Sequence, residues 1–541
     1  MRPISLLMVT VAALALPLAV HAQTSTTRVV PQNRPDQNPR VTRARPAPAP
    51  KVPRGRARST PLAPFVLREV RLEGSTLPPA VIEAAWRPFV GKTVDTRDLV
   101  KITDALARAY EQRGYAIYTV VAPDQVFTDG VLRLRALEGY IADTEVQAPN
   151  AKSRAQADRY LARLKADKPL RRDTLERYIS LIRDIPGMSN EIALENGAGD
   201  DGVRLKLKLT PKPVQLAVSV NNRGTAYLGR TQVQADLYLN GFIRSGDQTR
   251  FSVAVPTDID RFQSYSLSHA TPVGDDGLTL GLNAGYLKTR PKVGGLVGHA
   301  KSGGVQLSYP LLRSYERDAY INVSVDGVDS DNAFLGYTFA NDKTRAARVA
   351  LSTSAQTDRR LWYVSGTLSQ GIDGLGAQTD PMLGKLAFRK LNLRGGAAFS
   401  LGKQGALRLN GAGQATGDRL PGTEQFAIGG DEFGRGYEAS VIAGDSGLAG
   451  SAELAFVPAK APKGFAGSEA YAFVDGGKVW YRSRFGYPGS HADLKSAGAG
   501  ARVRIRDKAI VQVEAAKALS NDIAFLDARP WRGVVSLKTV W

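Results

Sequence analysis

Two short stretches in the last quarter of the chain decide its fold, Gly434-Arg435-Gly436-Tyr437 and Phe473-Val474-Asp475-Gly476-Gly477. Both lie among segments in which apolar and polar residues alternate, as they do along β-strands. An arginine between two glycines fits the tip of a tight loop, because small neighbours let the backbone approach another surface closely. An aspartate on the inward face of a barrel strand would offer that guanidinium a planar acceptor for a bidentate, charge-assisted pair. We therefore expect a loop that docks on a strand through Arg435 and Asp475.

The region around these stretches repeats short alternating segments separated by turns rich in glycine or aspartate. One segment places five apolar residues on a single face: Leu278, Leu280, Leu282, Ala284 and Tyr286. Another places three basic residues on the face opposite Val503 and Ile505: Arg502, Arg504 and Arg506. A soluble sandwich would also alternate, so the period alone does not decide. Ionised groups on one face and aliphatic or aromatic groups on the other are typical of a membrane barrel with lipid outside and water inside.

The C-terminus supports the barrel. Its last residues place one set of side chains on a single face and end on an aromatic residue: Gly533, Val535, Leu537, Thr539 and Trp541. An end strand must pair with the first one, because an open edge in lipid leaves backbone groups unsatisfied. Residues 213–541 therefore predict a transmembrane antiparallel β-barrel, and at roughly 20 residues per strand and turn it has about 16 strands.

The N-terminus predicts an exported protein. Residues 1–22 combine Arg2, an apolar run and the small-residue site Val20-His21-Ala22, which is typical of a secretory signal peptide; a short membrane anchor is the alternative. Residues 23–64 form a basic, proline-rich linker with nine basic residues, one acidic residue and nine prolines. Such a tail either contacts anionic lipid or a cell-envelope polymer, or is a plain solvated linker. The net charge of +21 could suggest a nucleic-acid partner, but much of it lies in this linker of an exported protein, which argues against nucleic acid.

Two small α+β modules precede the barrel, residues 65–142 and 143–212. The first has the order strand, helix, helix, strand, strand, with a helix ending at Gly114. In the second, helices are expected over 154–165 and 174–183. The strand 203–209 alternates strictly, with one apolar and one basic face. It is either a half-buried strand or an exposed sheet edge that pairs with an extended client segment.

The first module carries a series of short motifs: Tyr110, Arg113-Gly114-Tyr115, Pro123-Asp124-Gln125, Asp129-Gly130 and Glu138-Gly139. This series resembles the first POTRA (polypeptide-transport-associated) module of two-partner-secretion transporters, the TpsB type. The resemblance implies that the module binds an unfolded client. It also implies client-contacting residues at five positions: Tyr110, Gly114, Tyr115, Asp124 and Gln125.

The two opening stretches resemble the loop-six and strand motifs of the BamA-like outer-membrane translocases, to which the TpsB proteins belong. The resemblance implies that Arg435 anchors a long loop inside the lumen by pairing with Asp475, as a dynamic lock or as a static brace. It further implies that Phe473 and Gly477 complete the strand side and that Tyr437 packs beside the tip. The family loop motif often begins with valine, where this chain has Gly434.

Enzymatic and cofactor-based functions find no support in the sequence. The chain has no cysteine and only four histidines, and no histidine pair has the spacing of a catalytic zinc site. Gly444-Asp445-Ser446-Gly447 matches a serine-protease signature, but a nucleophilic serine needs a histidine base. Gly91-Lys92-Thr93 lacks the first glycine of a phosphate-binding loop. We therefore expect no catalytic residues, no metal and no cofactor.

The leading hypothesis is an outer-membrane transporter with periplasmic POTRA modules that secretes an unfolded exoprotein without ATP. Its partners would be a TpsA-like, β-helical client, outer-membrane lipids, and the barrel assembly machinery for its own insertion. An inward row of Arg502, Arg504 and Arg506 would either create a positive lumenal field or balance lumenal acids. The alternative is an assembly factor that inserts other barrels, although such factors usually carry three or more POTRA modules. A passive porin would lack the folded segment before the barrel.

Overall fold

The computed structural model describes residues 63–123, 125, 129–197, 202–292, 295–334, 337–484, 488–506, 508–520 and 531–541. The predicted signal peptide 1–22 and all but the last two residues of the linker 23–64 lie outside these residues, as does Asp124. None of the helices in the described ranges is long and apolar enough to cross a membrane.

The first module folds around a three-stranded sheet covered by two helices. The sheet has the order β2-β5-β4, with β2 and β5 parallel. Asp95 caps the second helix through hydrogen bonds to two backbone amides, and Gly114 follows that helix with a φ of 76°. The elements are β1 Phe65–Val66, β2 Glu69–Glu73, α1 Pro79–Trp86, β3 Thr93–Val94, α2 Thr96–Gln112, β4 Tyr118–Val121 and β5 Val131–Glu138.

The first strand of the second sheet, β6, begins at Tyr140, three residues before the predicted start of the second module at 143, and Tyr140 pairs with Gly202. Its sheet has the order β6-β8-β7. The strand predicted over 203–209 is β8, the central strand, so its interpretation as an exposed sheet edge is wrong: both of its backbone edges are already paired. The elements are β6 Tyr140–Gln147, α3 Ala151–Ala166, α4 Arg172–Arg183, β7 Met188–Asn196 and β8 Gly202–Pro211.

The two faces of β8 explain its alternation. Leu205 and Leu207 are buried beneath α3 and α4 in the module core. Lys206 and Lys208 lie on the other face, where they pair with Glu195 and Glu191 of β7 at 2.9 and 3.2 Å. The basic face is thus a solvated, charge-paired surface.

The remaining strands form a closed barrel of 16 antiparallel strands, which confirms the predicted fold and strand number. The barrel strands are β9 Val214–Asn221, β10 Gln232–Asn240, β11 Gln248–Pro256, β12 Phe262–Val273, β13 Leu278–Thr289, β14 Leu296–Arg313, β15 Arg317–Phe334, β16 Tyr337–Gln356, β17 Arg360–Gly371, β18 Arg389–Leu401, β19 Gly405–Thr416, β22 Ser446–Phe456, β23 Glu469–Tyr481, β24 Ser490–Ile505, β25 Ala509–Ala518 and β26 Trp531–Val540. A separate hairpin of β20 Phe426–Ile428 and β21 Ile442–Gly444 stands between β19 and β22.

The barrel closes where β26 pairs with β9. That ladder has five residue pairs, from Ser536–Asn221 to Val540–Ala217, whereas every other barrel ladder has seven or more. The apolar face predicted for the last strand points outward, with Val535 and Trp541 exposed on the barrel exterior. Side chains that alternate with such exposed apolar residues point into the lumen.

The helices of the second module rest on the barrel turns at the module side. We call these contacts the joint. Arg163 of α3 pairs with Asp275 at 2.9 Å, and Arg177 of α4 pairs with Asp276 at 2.8 Å. Tyr178 also donates a hydrogen bond to Asp276 at 3.0 Å. The joint places both modules on the same side of the barrel and leaves the charged face of β8 turned away from it.

Candidate functional site: a lumenal loop held by charged clusters

The connection between β19 and β22 folds back into the barrel instead of projecting from it. We call residues 417–445 the lumenal loop. It contains a 3₁₀ turn, Gly422–Glu424, and the hairpin β20–β21, whose connecting residues carry the Gly-Arg-Gly-Tyr motif. Phe433, Tyr437 and Val441 of the loop are buried in one cluster with inward-facing Val479 and Leu494 of the wall. The loop therefore crosses the lumen and packs on the inner face of the barrel.

Arg435 and Asp475 meet at the loop tip, as the sequence predicted, but their pairing is not bidentate. Only the Nε of Arg435 reaches the carboxylate, at 3.1 Å from Oδ2. The backbone amides of Gly434 and Arg435 donate to the same carboxylate at 3.0 and 3.3 Å, and Ser496 donates from its hydroxyl. Asp475 thus fixes the backbone of the tip as well as its side chain.

The outer end of the Arg435 guanidinium contacts two further acids. Nη1 lies 3.1 Å from Glu453 of β22 and 3.3 Å from Glu514 of β25. The guanidinium carbon lies 3.4 Å from the ring centroid of Phe473, a close cation–π contact. One loop arginine therefore connects three barrel strands inside a site where its side chain is 7% exposed.

Three more arginines balance the acids around the tip. Arg502 makes a bidentate pair with Glu453 at 2.7 and 2.8 Å, and Arg408 makes one with Glu469 at 2.8 and 2.6 Å. Arg223, in the connection that follows the first barrel strand β9, lies 3.1 Å from Glu514. The tip cluster is then defined by four arginines and four acids: Arg223, Arg408, Arg435, Arg502, Glu453, Glu469, Asp475 and Glu514. Its formal charge is zero, so removing Arg435 leaves an uncompensated negative charge in a buried site.

The glycines of both motifs make room for this contact. A Cβ on Gly434 would lie 2.5 Å from Leu494 Cδ1, and its φ is 79°, which disfavours valine. A Cβ on Gly436 would lie 2.8 Å from the backbone nitrogen of Ala518, and one on Gly477 would lie 2.7 Å from Ile428 of the loop. Glycine at position 434, where the family motif often has valine, therefore fits the left-handed backbone of this loop tip.

Two other clusters hold the base of the loop. Glu424 accepts hydrogen bonds from Arg348 at 2.9 Å and pairs with Lys390 at 2.8 Å. Asp445 makes a bidentate pair with Arg484, with both contacts at 2.8 Å. It also accepts hydrogen bonds from the backbone amides of Leu420 and Arg482 at 2.7 and 2.8 Å. The Gly444-Asp445-Ser446-Gly447 stretch is thus a structural anchor of the loop stem.

The tip also reaches the barrel closure. The carbonyl of Tyr437 accepts a hydrogen bond from Arg532 of β26. Glu438 accepts one from the backbone amide of Ala226, which follows β9, at 3.1 Å. The Tyr437 hydroxyl accepts a hydrogen bond from the amide of Ser520 at 3.0 Å. The loop therefore contacts β26 of the shortest ladder and the connection that follows its other strand, β9.

The predicted basic row is only partly lumenal. Arg502 faces inward and is neutralised by Glu453 and Glu469, so it balances lumenal acids and does not create a positive field. Arg504 is exposed near the module-side end of β24. Arg506 lies beyond the end of that strand, in a turn with a φ of 48°, which corrects its assignment to the strand face.

The predicted client-contacting residues of the first module are mostly internal. Tyr110 is fully buried and donates a hydrogen bond to Glu138 at 2.8 Å, so its assignment as a surface contact is wrong. Its ring packs edge-on against Tyr115, which is 8% exposed. Gly114 ends α2, and Gln125 bridges the backbone of Arg133 at 2.7 Å. These residues hold the module together, and Tyr115 lies beneath the guanidinium of Arg171 from the second module.

Several site residues escaped the sequence interpretation: Arg348, Arg408, Glu424, Glu469, Arg484 and Glu514. Each is a charged residue whose partner lies on a different strand or connection: four are on inward strand faces, Glu424 is in the lumenal loop, and Arg484 follows β23. Inward alternation could have marked Glu514, but nothing local identifies which lumenal cation it meets.

Comparisons with known proteins agree with this architecture. Residues 201–503 match the family model "Haemolysin secretion/activation protein ShlB/FhaC/HecB", and residues 65–139 match "POTRA domain, ShlB-type". The heme/hemopexin transporter protein HuxB of Haemophilus influenzae is 22% identical over 458 residues, 80% of each chain.

Among solved structures, CdiB from Escherichia coli is similar with a TM-score of 0.75 at 18% identity, over 92% of this chain and 94% of CdiB. A BamA from Haemophilus ducreyi that lacks POTRA domains 1–3 gives a TM-score of 0.51 at 13% identity, over 88% of this chain and all of that one. These likenesses concern the fold. The family model covers more than half of the chain, and the protein therefore belongs to the ShlB/FhaC/HecB family, outer-membrane transporters of secreted proteins whose POTRA modules lie in the periplasm.

Proposed function

We propose that this chain binds an unfolded TpsA-like exoprotein in the periplasm through its POTRA modules and passes it through the barrel without ATP. Folding of the β-helical client outside the cell makes its transport through the barrel unidirectional. The barrel assembly machinery inserts the transporter, and outer-membrane lipids surround its apolar exterior.

The observation that carries the proposal is that the lumenal loop lies inside the barrel and is bound to its inner wall. The loop is held by ion pairs and hydrogen bonds at its tip, at Glu424 and at Asp445. Each of these contacts is reversible, and none of them is a covalent link. Moving the tip away from Asp475, Glu453 and Glu514 would clear the lumen along the wall formed by β22–β25. The loop is therefore suited to act as a lock that a client displaces.

Client capture requires an unpaired backbone edge or a groove. Since β8 is central, the edges of the second sheet are β6 and β7, each paired with β8 on one side. Of the two, β7 is the longer, with nine residues. An extended client segment pairing there would lie beside the joint and below the barrel. We propose β7 as the docking edge in place of β8.

The test compares secreted and outer-membrane proteomes of cells with and without this gene. Complementation uses the wild type, Arg435→Ala, or the control Arg359→Ala in an exposed module-side turn. We expect one large exported protein to disappear from the medium in the absence of the gene. The wild type and Arg359→Ala restore it, whereas Arg435→Ala does not, at equal barrel levels.

Two results would contradict the proposal. Reduced levels of many outer-membrane proteins would instead favour an assembly factor. Full secretion by Arg435→Ala would exclude the lock and leave Arg435 as a brace of the wall.

A further inference from the structure

One stretch of the barrel exterior carries charged side chains where the surrounding surface is apolar. On β14, β15 and β16 the outward residues nearer the modules are aliphatic and about half exposed: Val305, Leu307, Val323, Val325, Val349 and Leu351. The same outward faces continue, toward the end opposite the modules, into Lys301, Asp329 and Lys343. Because side-chain direction alternates strictly along a strand, these charged groups lie outside the barrel and not in the lumen.

The strand register brings them into two rows. One row runs directly across four strands through Tyr286, Lys301, Asp329 and Lys343. The next row outward contains Lys288, His299, Asp331 and Asn341. All residues of the two rows except Lys288 line a surface cavity of about 390 Å³, which is within the range of ligand-binding clefts.

Aromatic rings fix the height of these rows in the membrane. Tyr286 stacks on Tyr265 with ring centroids 6.5 Å apart and on His299 at 6.4 Å. Exposed tyrosines at the end of an aliphatic band mark the boundary between hydrocarbon and head groups. Since the modules lie in the periplasm, this boundary belongs to the outer leaflet, and the cavity opens at the level of its head groups.

The charges of the cavity are only partly satisfied. Arg345 pairs with Asp329 at 2.6 Å, and His299 lies 3.8 Å from Asp331. Gly327 makes space for the arginine, since a Cβ there would lie 2.8 Å from Arg345 Cδ. The amino groups of Lys301 and Lys343 have no ion pair with any side chain in the described part of the chain. Two lysines that face an interface without a partner are suited to a phosphate group.

We propose that this cavity binds the phosphorylated saccharide head group of an outer-leaflet glycolipid. Lys301 and Lys343 pair with a phosphate monoester. Asp331 accepts hydrogen bonds from sugar hydroxyls, and Asn341 both accepts and donates them. The acyl chains lie along Val305, Val325 and Val349. A phosphate with a sugar and acyl chains matches all three surfaces, whereas inorganic phosphate matches only the lysines.

The proposed lipid site and one anchor of the lumenal loop lie on opposite faces of the same strand, β16. On the inner face of β16, Arg348 binds Glu424 and Thr344 lies 3.2 Å from Thr423. On its outer face, Lys343 and Arg345 belong to the proposed site. A bound glycolipid would therefore hold, from outside, the strand that holds the loop from inside.

The experiment titrates the purified full-length protein in detergent with deep-rough lipopolysaccharide and follows bound lipid by native mass spectrometry. We expect the wild type to retain the lipid and Lys301→Ala/Lys343→Ala to bind it at least tenfold more weakly. Lys301→Arg/Lys343→Arg should bind like the wild type. The control Lys478→Ala/Lys495→Ala, which removes two outward lysines from β23 and β24, should leave binding unchanged.

Two further arms identify the source of the phosphate. Phosphatase-treated lipopolysaccharide should bind at least tenfold more weakly, and glucose 1-phosphate at the same concentration should not displace the lipid. Equal binding by the lysine double-alanine variant, or by the dephosphorylated lipid, would overturn the site. Displacement by glucose 1-phosphate at equal concentration would overturn the assignment to a membrane lipid.

Discussion

Arg313, the last residue of β14, and Asp184, directly after α4, form a bidentate ion pair across the joint. Nε and Nη2 of the arginine lie 2.6 and 2.7 Å from the two carboxylate oxygens. Arg313 also contacts Asp318 at 2.7 Å, and its side chain is 8% exposed. A buried arginine that connects a module helix to two barrel strands restrains the second module to one orientation.

Arg313→Ala should loosen the joint. The substitution removes the bidentate pair with Asp184 and the ion pair with the buried Asp318. Removing one partner of a buried ion pair typically costs about 3–5 kcal/mol. The chain has no cysteine, so a spin-label pair on engineered cysteines reports the distance between α3 and a module-side turn without background. We expect a broader distance distribution in Arg313→Ala. The control is Arg172→Ala, which removes an exposed pair with Glu176 on the same helix; an equally broad distribution there would contradict the role of Arg313.

The joint should also depend on acid pH. The Arg163 guanidinium holds the pKa of Asp275 below its usual value. For Asp276, burial acts to raise the pKa, but hydrogen bonds from Tyr309 and Arg177 outweigh it and the pKa is lowered. Groups with a lowered folded pKa contribute their full stability above the unfolded value of about 3.9 and lose it as the pH falls through the folded value. Burial raises the pKa of Tyr178 to about 12, so its hydroxyl remains a donor throughout.

The same label pair should therefore give one distance distribution from pH 8 to pH 5 and a broader one below about pH 4. Asp275→Asn/Asp276→Asn should remove this dependence, because neither position then titrates. Broadening of the wild type already at pH 6 would show that other groups control the joint.

The barrel and the tip contact could be predicted from the sequence because both depend on patterns of neighbouring residues. Alternation sets the inward and outward faces, and the two motifs identify Arg435 and Asp475. The sequence could not predict that β8 is central, because the order β6-β8-β7 depends on a crossover that no local residue encodes. Nor could it predict that Glu453 and Glu514 share Arg435, since β22 and β25 are not neighbours and two further strands separate them in the wall. The resemblance placed Tyr110 among the client-contacting residues, but a motif does not show whether a residue is buried, and Tyr110 is buried.

Asp475→Asn should separate the charge of the tip contact from its shape. An asparagine keeps one acceptor for the backbone amides of Gly434 and Arg435 but removes the charge opposite the guanidinium. Arg435 would then depend on Glu453 and Glu514 alone. We expect the tip to leave its site more often, and hence a higher frequency of open-channel events in planar bilayers.

The matched control is Asp493→Asn, which neutralises an exposed aspartate on neighbouring β24. Heat modifiability of the barrel checks that both variants are folded. If Asp475→Asn conducts like the wild type, the backbone hydrogen bonds hold the tip without help from the charge.

Gly434→Val, which restores the residue common in the family motif, should impair this protein. Its φ of 79° is unfavourable for a β-branched residue, and the new Cβ would lie 2.5 Å from Leu494 Cδ1. We expect a displaced tip and reduced secretion at normal barrel levels. Gly417→Val in the same loop is the control, since a Cβ there meets nothing within 4 Å and the backbone is not left-handed.

The double variant Gly434→Val/Leu494→Ala identifies the cause. Removing the leucine relieves the clash but not the backbone strain, which costs about 1–3 kcal/mol. Partial recovery of secretion is therefore the expected result. Full recovery would mean that packing alone selects glycine at this position, and no recovery would mean that the backbone conformation does. Wild-type secretion by Gly434→Val itself would show that the tip tolerates valine and that its geometry adapts.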